Sequence, residues 1–322
     1  MADALKSRLI PGWIARNQLC YRSVPADIAY MKIRASRPTV FLLLIPLLFL
    51  LVCEVPLTAQ QRTAEKPAWV LYQVAERHFR QREFARALEM YGEALAVQPL
   101  FPEAMVGMAR VHRAAGDITL ARRYYLGALE AAVHMTIPDE EYAVRLELAR
   151  LLALSGTDDH RRLQREQLEN VVARDPVFSR TENSLHRDAM RELLYRSGLD
   201  RVLVLYRLDF PQAREAHHRM GELLLESRDP ADVDLAIEHF LFAVVESAGR
   251  AINTIIEIHF DFEFSTMEEF LAMAEQYPEV RQYLRTVDFF EALSGLADAL
   301  EKSDHPAAPD RAAELRRVLL SR

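Results

Sequence analysis

Cysteine is almost absent from this chain of 322 residues: Cys20 and Cys53 are the two, and none follows residue 53. Beyond that point disulfides, thiolate nucleophiles and cysteine-ligated zinc are excluded. Lysine is scarce as well, with Lys6, Lys32, Lys66 and Lys302 the only four among 40 basic residues, and there is no basic tract. Residues 1–59 hold seven basic and three acidic side chains, so 33 and 44 of the chain's 40 and 47 lie beyond them, a net of −11. So acidic a remainder argues against nucleic acid as a partner, since phosphate backbones are held by surplus positive charge. Glycine is low at ten. Strand-like alternation is confined to Glu257–Phe264, read here as a helix end running into a loop, with a short strand as the alternative. No serine elbow, phosphate loop or zinc-protease motif occurs, which leaves catalysis with little support.

What the chain does have is helix-former composition, 50% hydrophobic and rich in Ala, Leu, Glu and Arg. It also carries an internal echo at 34 residues. Leu71, Val74, Ala75, His78, Phe84, Ala87, Tyr91, Ala94 and Leu95 fall on Met105, Met108, Ala109, His112, Ile118, Ala121, Tyr125, Ala128 and Leu129. Pro99 closes the first unit. The small residues have a physical reason: Ala75 and Ala87 sit where two helices of a hairpin cross, and a larger side chain would push the axes apart from about 8–10 Å. Gly116-Asp117 marks the turn between helices in the second unit, where Arg82-Glu83 stands in the first.

This 34-residue pattern resembles the tetratricopeptide repeat (TPR) family. The resemblance implies an all-α fold, an α-solenoid of antiparallel helical hairpins forming a TPR-like superhelix. Such folds stack into binding surfaces and rarely carry chemistry themselves. The expected domain spans residues 67–322, with the sharpest repeats at 68–101 and 102–135 and degenerate ones after 142. Helices are expected over Tyr142–Ser155, Arg161–Arg174, Leu185–Arg207 (broken at Ser197-Gly198), Ala213–Glu226, Val233–Ser247, Glu269–Tyr277, Val287–Lys302 and Arg311–Leu320. Together they make about six hairpins. In the pair Ala213–Glu226 and Val233–Ser247, Gly221, Ala236, Phe240 and Ala243 recover the small–aromatic–small spacing.

The other strong signal is Val40–Cys53, fourteen apolar residues preceded by Lys32, Arg34 and Arg37 and followed by Ala59. A basic segment, a short apolar core and a small residue describe a secretory signal, here residues 31–59. At fourteen residues the run is shorter than the about 20 that a spanning helix needs. The preferred reading is cleavage after Ala59; retention as an anchor through residues 38–55, or lipidation at Cys53, are the alternatives. Each places the remainder outside the cytoplasm, periplasmic and either soluble or tethered to the inner membrane. Residues 1–30 are an odd prefix to such a signal, and Met31 is a natural start. Residues 60–66 read as a tether.

Carried over by register, the resemblance implies partner-binding residues at Trp69, Tyr72, Glu76, Phe79, Arg80, Val106, Arg110 and Arg113. Trp69, Tyr72 and Phe79 would form an apolar patch with Arg80, Arg110 and Arg113 beside it, and aromatics and Arg are enriched at interface hot spots. The competing reading is that these aromatics are packing residues. The chaperone-tail clamp of some family members is absent, since Tyr72, Glu76 and Gly107 occupy its Lys and Asn positions. His78 and His112 fall where the repeat usually has Tyr and read as packing. His217, His218 and His239 are expected to approach one another across one hairpin, a constellation short of a metal site without Glu222 or Glu238. The sequence thus predicts a non-enzymatic scaffold or assembly factor in the bacterial envelope, without cofactor or metal, binding a protein partner. An accessory subunit of a transport system, holding a solute receptor or apolar ligand, is the alternative; a metal-dependent hydrolase is third.

Overall fold

Ala68, Leu71 and Ala75 recur at helical spacing, and in the structure they form the buried stripe of α1 (Ala68–Arg80). They meet Ala87, Tyr91 and Ala94 of α2 (Phe84–Val97) in one core cluster. The arrangement repeats 34 residues on: Ala109 of α3 (Pro102–Ala114) lies in one cluster with Ala121, Tyr125 and Ala128 of α4 (Ile118–Glu130). All the crossing alanines are fully buried, as close helix contact requires. The turns differ as their sequences do. Gly116 takes a left-handed φ of 80°, and Asp117 then caps α4 by accepting from the Leu120 N–H at 2.9 Å. Arg82 adopts the same left-handed conformation, φ 60°, without glycine's freedom.

The computed structural model describes residues 66–179, 184–208, 210–227 and 229–321. The expectations for residues 1–30, for the signal at 31–59 and for the tether up to residue 65 lie outside the described residues. Residues Glu65–Arg322 form one unit.

A third hairpin follows, α5 (Glu140–Ala153) and α6 (Asp158–Val172). Glu140 and Glu141 sit in the first turn of α5, where negative charge favours the helix dipole. The chain then leaves the stack through α7 (Pro176–Ser179) and α8 (Ser184–Leu205), the latter bent at Gly198. It returns with α9 (Pro211–Leu225), which packs on α6, and α10 (Pro230–Ile258). A second excursion, α11 (Met267–Gln276) and α12 (Pro278–Thr286), precedes the closing hairpin of α13 (Phe289–Lys302) and α14 (Ala308–Leu320). α13 packs on α10, so five hairpins stand in series with two excursions between them. The described residues therefore form an all-α solenoid of helical hairpins, with five stacked pairs where about six were expected.

The difference has one cause, the length of α10. Expected to stop near Ser247, it runs on to Ile258. Residues 236–249 are buried without a break, which is the signature of a helix surrounded on all sides. α8, α11 and α12 pack on it instead of adding layers to the stack. Ala248, Ala251, Ile252 and Ile255 join Phe264, Met267, Phe270 and Leu271 in one core. Phe240, the aromatic of the fourth hairpin, sits between two glycines: a Cβ on Gly221 or Gly295 would lie 2.9 or 2.4 Å from its ring. The alternating stretch at 257–264 is the end of α10 and a loop, with no strand among the described residues. No described helix is long and apolar enough to cross a membrane.

Candidate functional site

The residues expected to bind a partner lie on α1 and α3, the first helices of two successive hairpins. Trp69, the second residue of α1, is 58% exposed. Tyr72, one turn on, is half-buried: its ring lies 6.0 Å from Tyr91 and 5.5 Å from Phe101. Burial first, then the neighbouring Glu76 carboxylate, pushes its phenol up to about 12. Phe79 pairs with Phe84 at 6.0 Å across the turn of the hairpin. Val106 is buried. Of the three aromatics, Trp69 is the one left largely in solvent, while Tyr72 and Phe79 are engaged in packing.

The polar members form two linked clusters. Glu76 accepts a 2.5 Å hydrogen bond from the Tyr91 hydroxyl, whose pKa burial and that bond both raise. At the equivalent place on α3 the charge is reversed, and Arg110 takes the position of Glu76. Arg110 donates from Nε and Nη2 to the Glu147 carboxylate of α5, the shortest contact being 2.7 Å. The Tyr125 hydroxyl donates to the same carboxylate at 2.7 Å, and Arg113 lies 3.7 Å away. Burial pushes Glu147 up, but the Arg110 bond and charge outweigh it and hold the carboxyl below its usual range. Glu147 was not singled out from the sequence. The signal that finds it is the charge reversal between Glu76 and Arg110, which demands an acid on the next first helix. Arg80 remains exposed, its Nε on the Glu76 carbonyl oxygen at 3.3 Å.

His78 and His112 have different surroundings despite their equivalent positions. His78 Nδ1 lies 2.6 Å from Glu83, while His112 stacks on Tyr124 at 5.4 Å. Both are packing residues. Of the other histidines, the structure brings two of the expected three together: His217 Nδ1 and His239 Nδ1 are 2.9 Å apart, both buried. His218 turns the other way, toward Phe240 and Glu222. Glu222 and Glu238, considered as further ligands, stand apart from the pair. Glu238 instead pairs with Arg191 and Arg187, and burial pushes its carboxyl up despite them. The acids that do approach His217 are Asp175 and Glu246, whose ligand atoms with that of His217 all lie within 4.8 Å of one another.

No protein-family model matches the chain. It is similar to an uncharacterised protein of Treponema pallidum (strain Nichols), at 21% identity over 241 residues. The match covers 72% of this chain and 60% of that protein, so the chain spans less than two thirds of its relative's length.

Proposed function

We propose that the chain is a non-enzymatic scaffold of the TPR kind, exported to the bacterial cell envelope, which holds a protein partner on the face made by its first helices. The observation that carries the reading is a series of five hairpins whose first helix presents an exposed indole, Trp69. A large aromatic in solvent is where interface energy concentrates when a partner covers it. Glu147 already engages Arg110 and Arg113, so recognition rests on apolar contact at Trp69 and the half-buried edge of Tyr72, with Arg80 at the rim. Export rests on the sequence of residues 31–59. For the transport-accessory alternative the cavities point both ways. A groove of about 620 Å³ has Arg161, Gln164, Arg219, Glu222 and Asp298 beside Leu223, Leu225 and Phe240, and another of about 610 Å³ is lined by Ile258, Phe260, Phe262 and Met273 together with Asp261 and Glu263.

The test is site-specific photo-crosslinking in the envelope of the producing cell. A photoreactive residue at position 69 is expected to give a discrete adduct that one at the exposed Glu89 of α2 does not. Adducts from neither position, or the same adducts from both, reject the groove. The N-terminal residue of the mature protein, expected just after Ala59, tests the export reading separately.

A further inference from the structure

We infer that Asp175, His217 and Glu246 form a binding site for a divalent transition-metal cation of the zinc class, with His239 orienting the ligating imidazole. The three come from different places: Asp175 opens α7, His217 lies on α9 and Glu246 on α10. The Asp175–His217 separation, Oδ2 to Nε2, is 3.3 Å. That is long beside the usual N–H···O distance of about 2.9–3.0 Å. It equals the spacing of about 3.3 Å between two ligands set tetrahedrally about 2.0–2.1 Å from an ion. All three groups are essentially removed from solvent, Asp175 and His217 at 0% and Glu246 at 2% exposure. Phe178 and Phe242 pack on the His217 ring at 4.8 and 5.1 Å. Two carboxylates beside an imidazole offer two anionic oxygens and one nitrogen, a donor set whose charge a divalent cation matches.

Two of the three ligands are held in place by neighbours of their own. Asp175 Oδ1 accepts from the Val177 N–H at 2.7 Å, which leaves Oδ2 for the site. The His217 Nδ1 faces His239 Nδ1 at 2.9 Å, so one ring must carry the proton there and the other accept it. A cation on His217 Nε2 decides which, because Nδ1 must then be the N–H and His239 the acceptor. Ligating histidines are commonly oriented through their second nitrogen in this manner. One imidazole with two carboxylates suits zinc and its first-row neighbours better than calcium or magnesium, which favour oxygen alone. Three protein ligands leave a tetrahedral ion one further position, and burial of the site shuts that position off from a substrate, so the cation acts as a fastener. It ties the start of the first excursion to the fourth hairpin.

The test uses the full chain, stripped with chelator and titrated with Co(II), whose visible d–d bands report an ordered coordination sphere. One Co(II) per chain is expected, displaced by Zn(II), with a raised thermal midpoint. Glu246→Gln, which removes a charged ligand, is expected to weaken binding by more than the about 10–100-fold typical of a supporting residue, and His217→Gln to abolish the bands. A His134→Gln/His259→Gln variant, which removes two exposed histidines elsewhere, is expected to retain them. Should the buried variants not fold, the unsubstituted protein still decides through its long-range ¹H–¹⁵N histidine spectrum. Bound Zn(II) must leave the His217 proton on Nδ1 and shift the Nε2 signal. No uptake by the wild type, uptake that survives both buried substitutions, or a His217 signal unmoved by bound Zn(II) overturns the site.

Discussion

Glu147 receives Arg110 twice and Tyr125 once, with Arg113 in range, and this density of donors makes it the residue whose charge matters most in the N-terminal hairpins. Glu147→Gln keeps the shape and removes the charge, and is expected to cost about 1–3 kcal/mol at neutral pH, the range for a charged hydrogen-bonding group. The pH dependence has a definite sign. The folded carboxyl is held below its unfolded value, so its contribution is present above an unfolded pKa of about 4.3 and is lost as pH falls through the folded one. Thermal midpoints of wild type and Glu147→Gln should therefore differ fully at pH 6–7 and converge in acid. A gap that stays constant down to the acid limit would mean the pair contributes through packing alone. Arg82 supplies the opposite case. A left-handed residue with a Cβ costs about 1–2 kcal/mol, and its partner 34 positions on, Gly116, avoids that strain. Arg82→Gly returns part of the gain to the unfolded chain's entropy. A rise of about 0.5–1 kcal/mol is expected in denaturant unfolding, and a fall would show that the Arg82 side chain does more than the backbone predicts.

Among the elements, legibility followed local periodicity. α1 to α4 were readable because Ala75, Ala87, Tyr91 and Ala94 recur after 34 residues, and each crossing depends on a small residue that sequence displays directly. The fourth hairpin was readable for the same reason, through Gly221, Ala236, Phe240 and Ala243. What failed was the end of α10, the helix α12, and the way the excursions pack on α10; α8 with its break at Gly198 and α11 were readable as helices. Ala248, Ala251, Ile252 and Ile255 continue a helix, but nothing local says that two excursions will bury its far half. α12 was missed because Pro278 reads as a stop, although proline at a first helical position serves equally as a start. In the candidate site, the face of α1 and α3 was legible by register. The engagement of Arg110 by Glu147 was not, since it depends on how the third hairpin abuts the second. The same holds for Asp175 and Glu246: His217 and His239 were paired by helix spacing, whereas the acids arrive from a short helix and from two turns further along α10. Phe240 gives this scale its prediction. Gly221→Ala places a methyl 2.9 Å from a ring already pressed against Gly295, so the ring has no side to yield toward. Overpacking of this kind costs about 1–3 kcal/mol, read as a lowered denaturation midpoint. The exposed Gly116 turn, where no atom lies near the added Cβ, offers no comparable clash.

For the whole molecule, the arrangement of cores sets how stability is distributed. α1 and α2 share their cluster only with α3 and Phe101, and the next cluster belongs to the second and third hairpins. From Ala149 of α5 onward a single core runs through α6, α8, α9 and α10 to α14. In a chain of nearest-neighbour contacts, a terminal hairpin can open without disturbing the rest, because only one interface is broken. α10 has no such freedom, since neighbours on every side must leave before its amides meet water. Native-state hydrogen exchange should therefore be graded. Amides of residues 236–249 are expected to exchange only through global unfolding, with the full denaturant dependence of the protein. Amides of α1 and α2 should exchange faster and with a smaller dependence, through local opening. The hairpin expected to open at lowest cost is the one that bears Trp69, so under the proposed scaffold reading a bound partner is expected to raise its protection. Protection in α1 that already matches α10 in the free protein would refute the graded picture and mean that the five hairpins unfold as one.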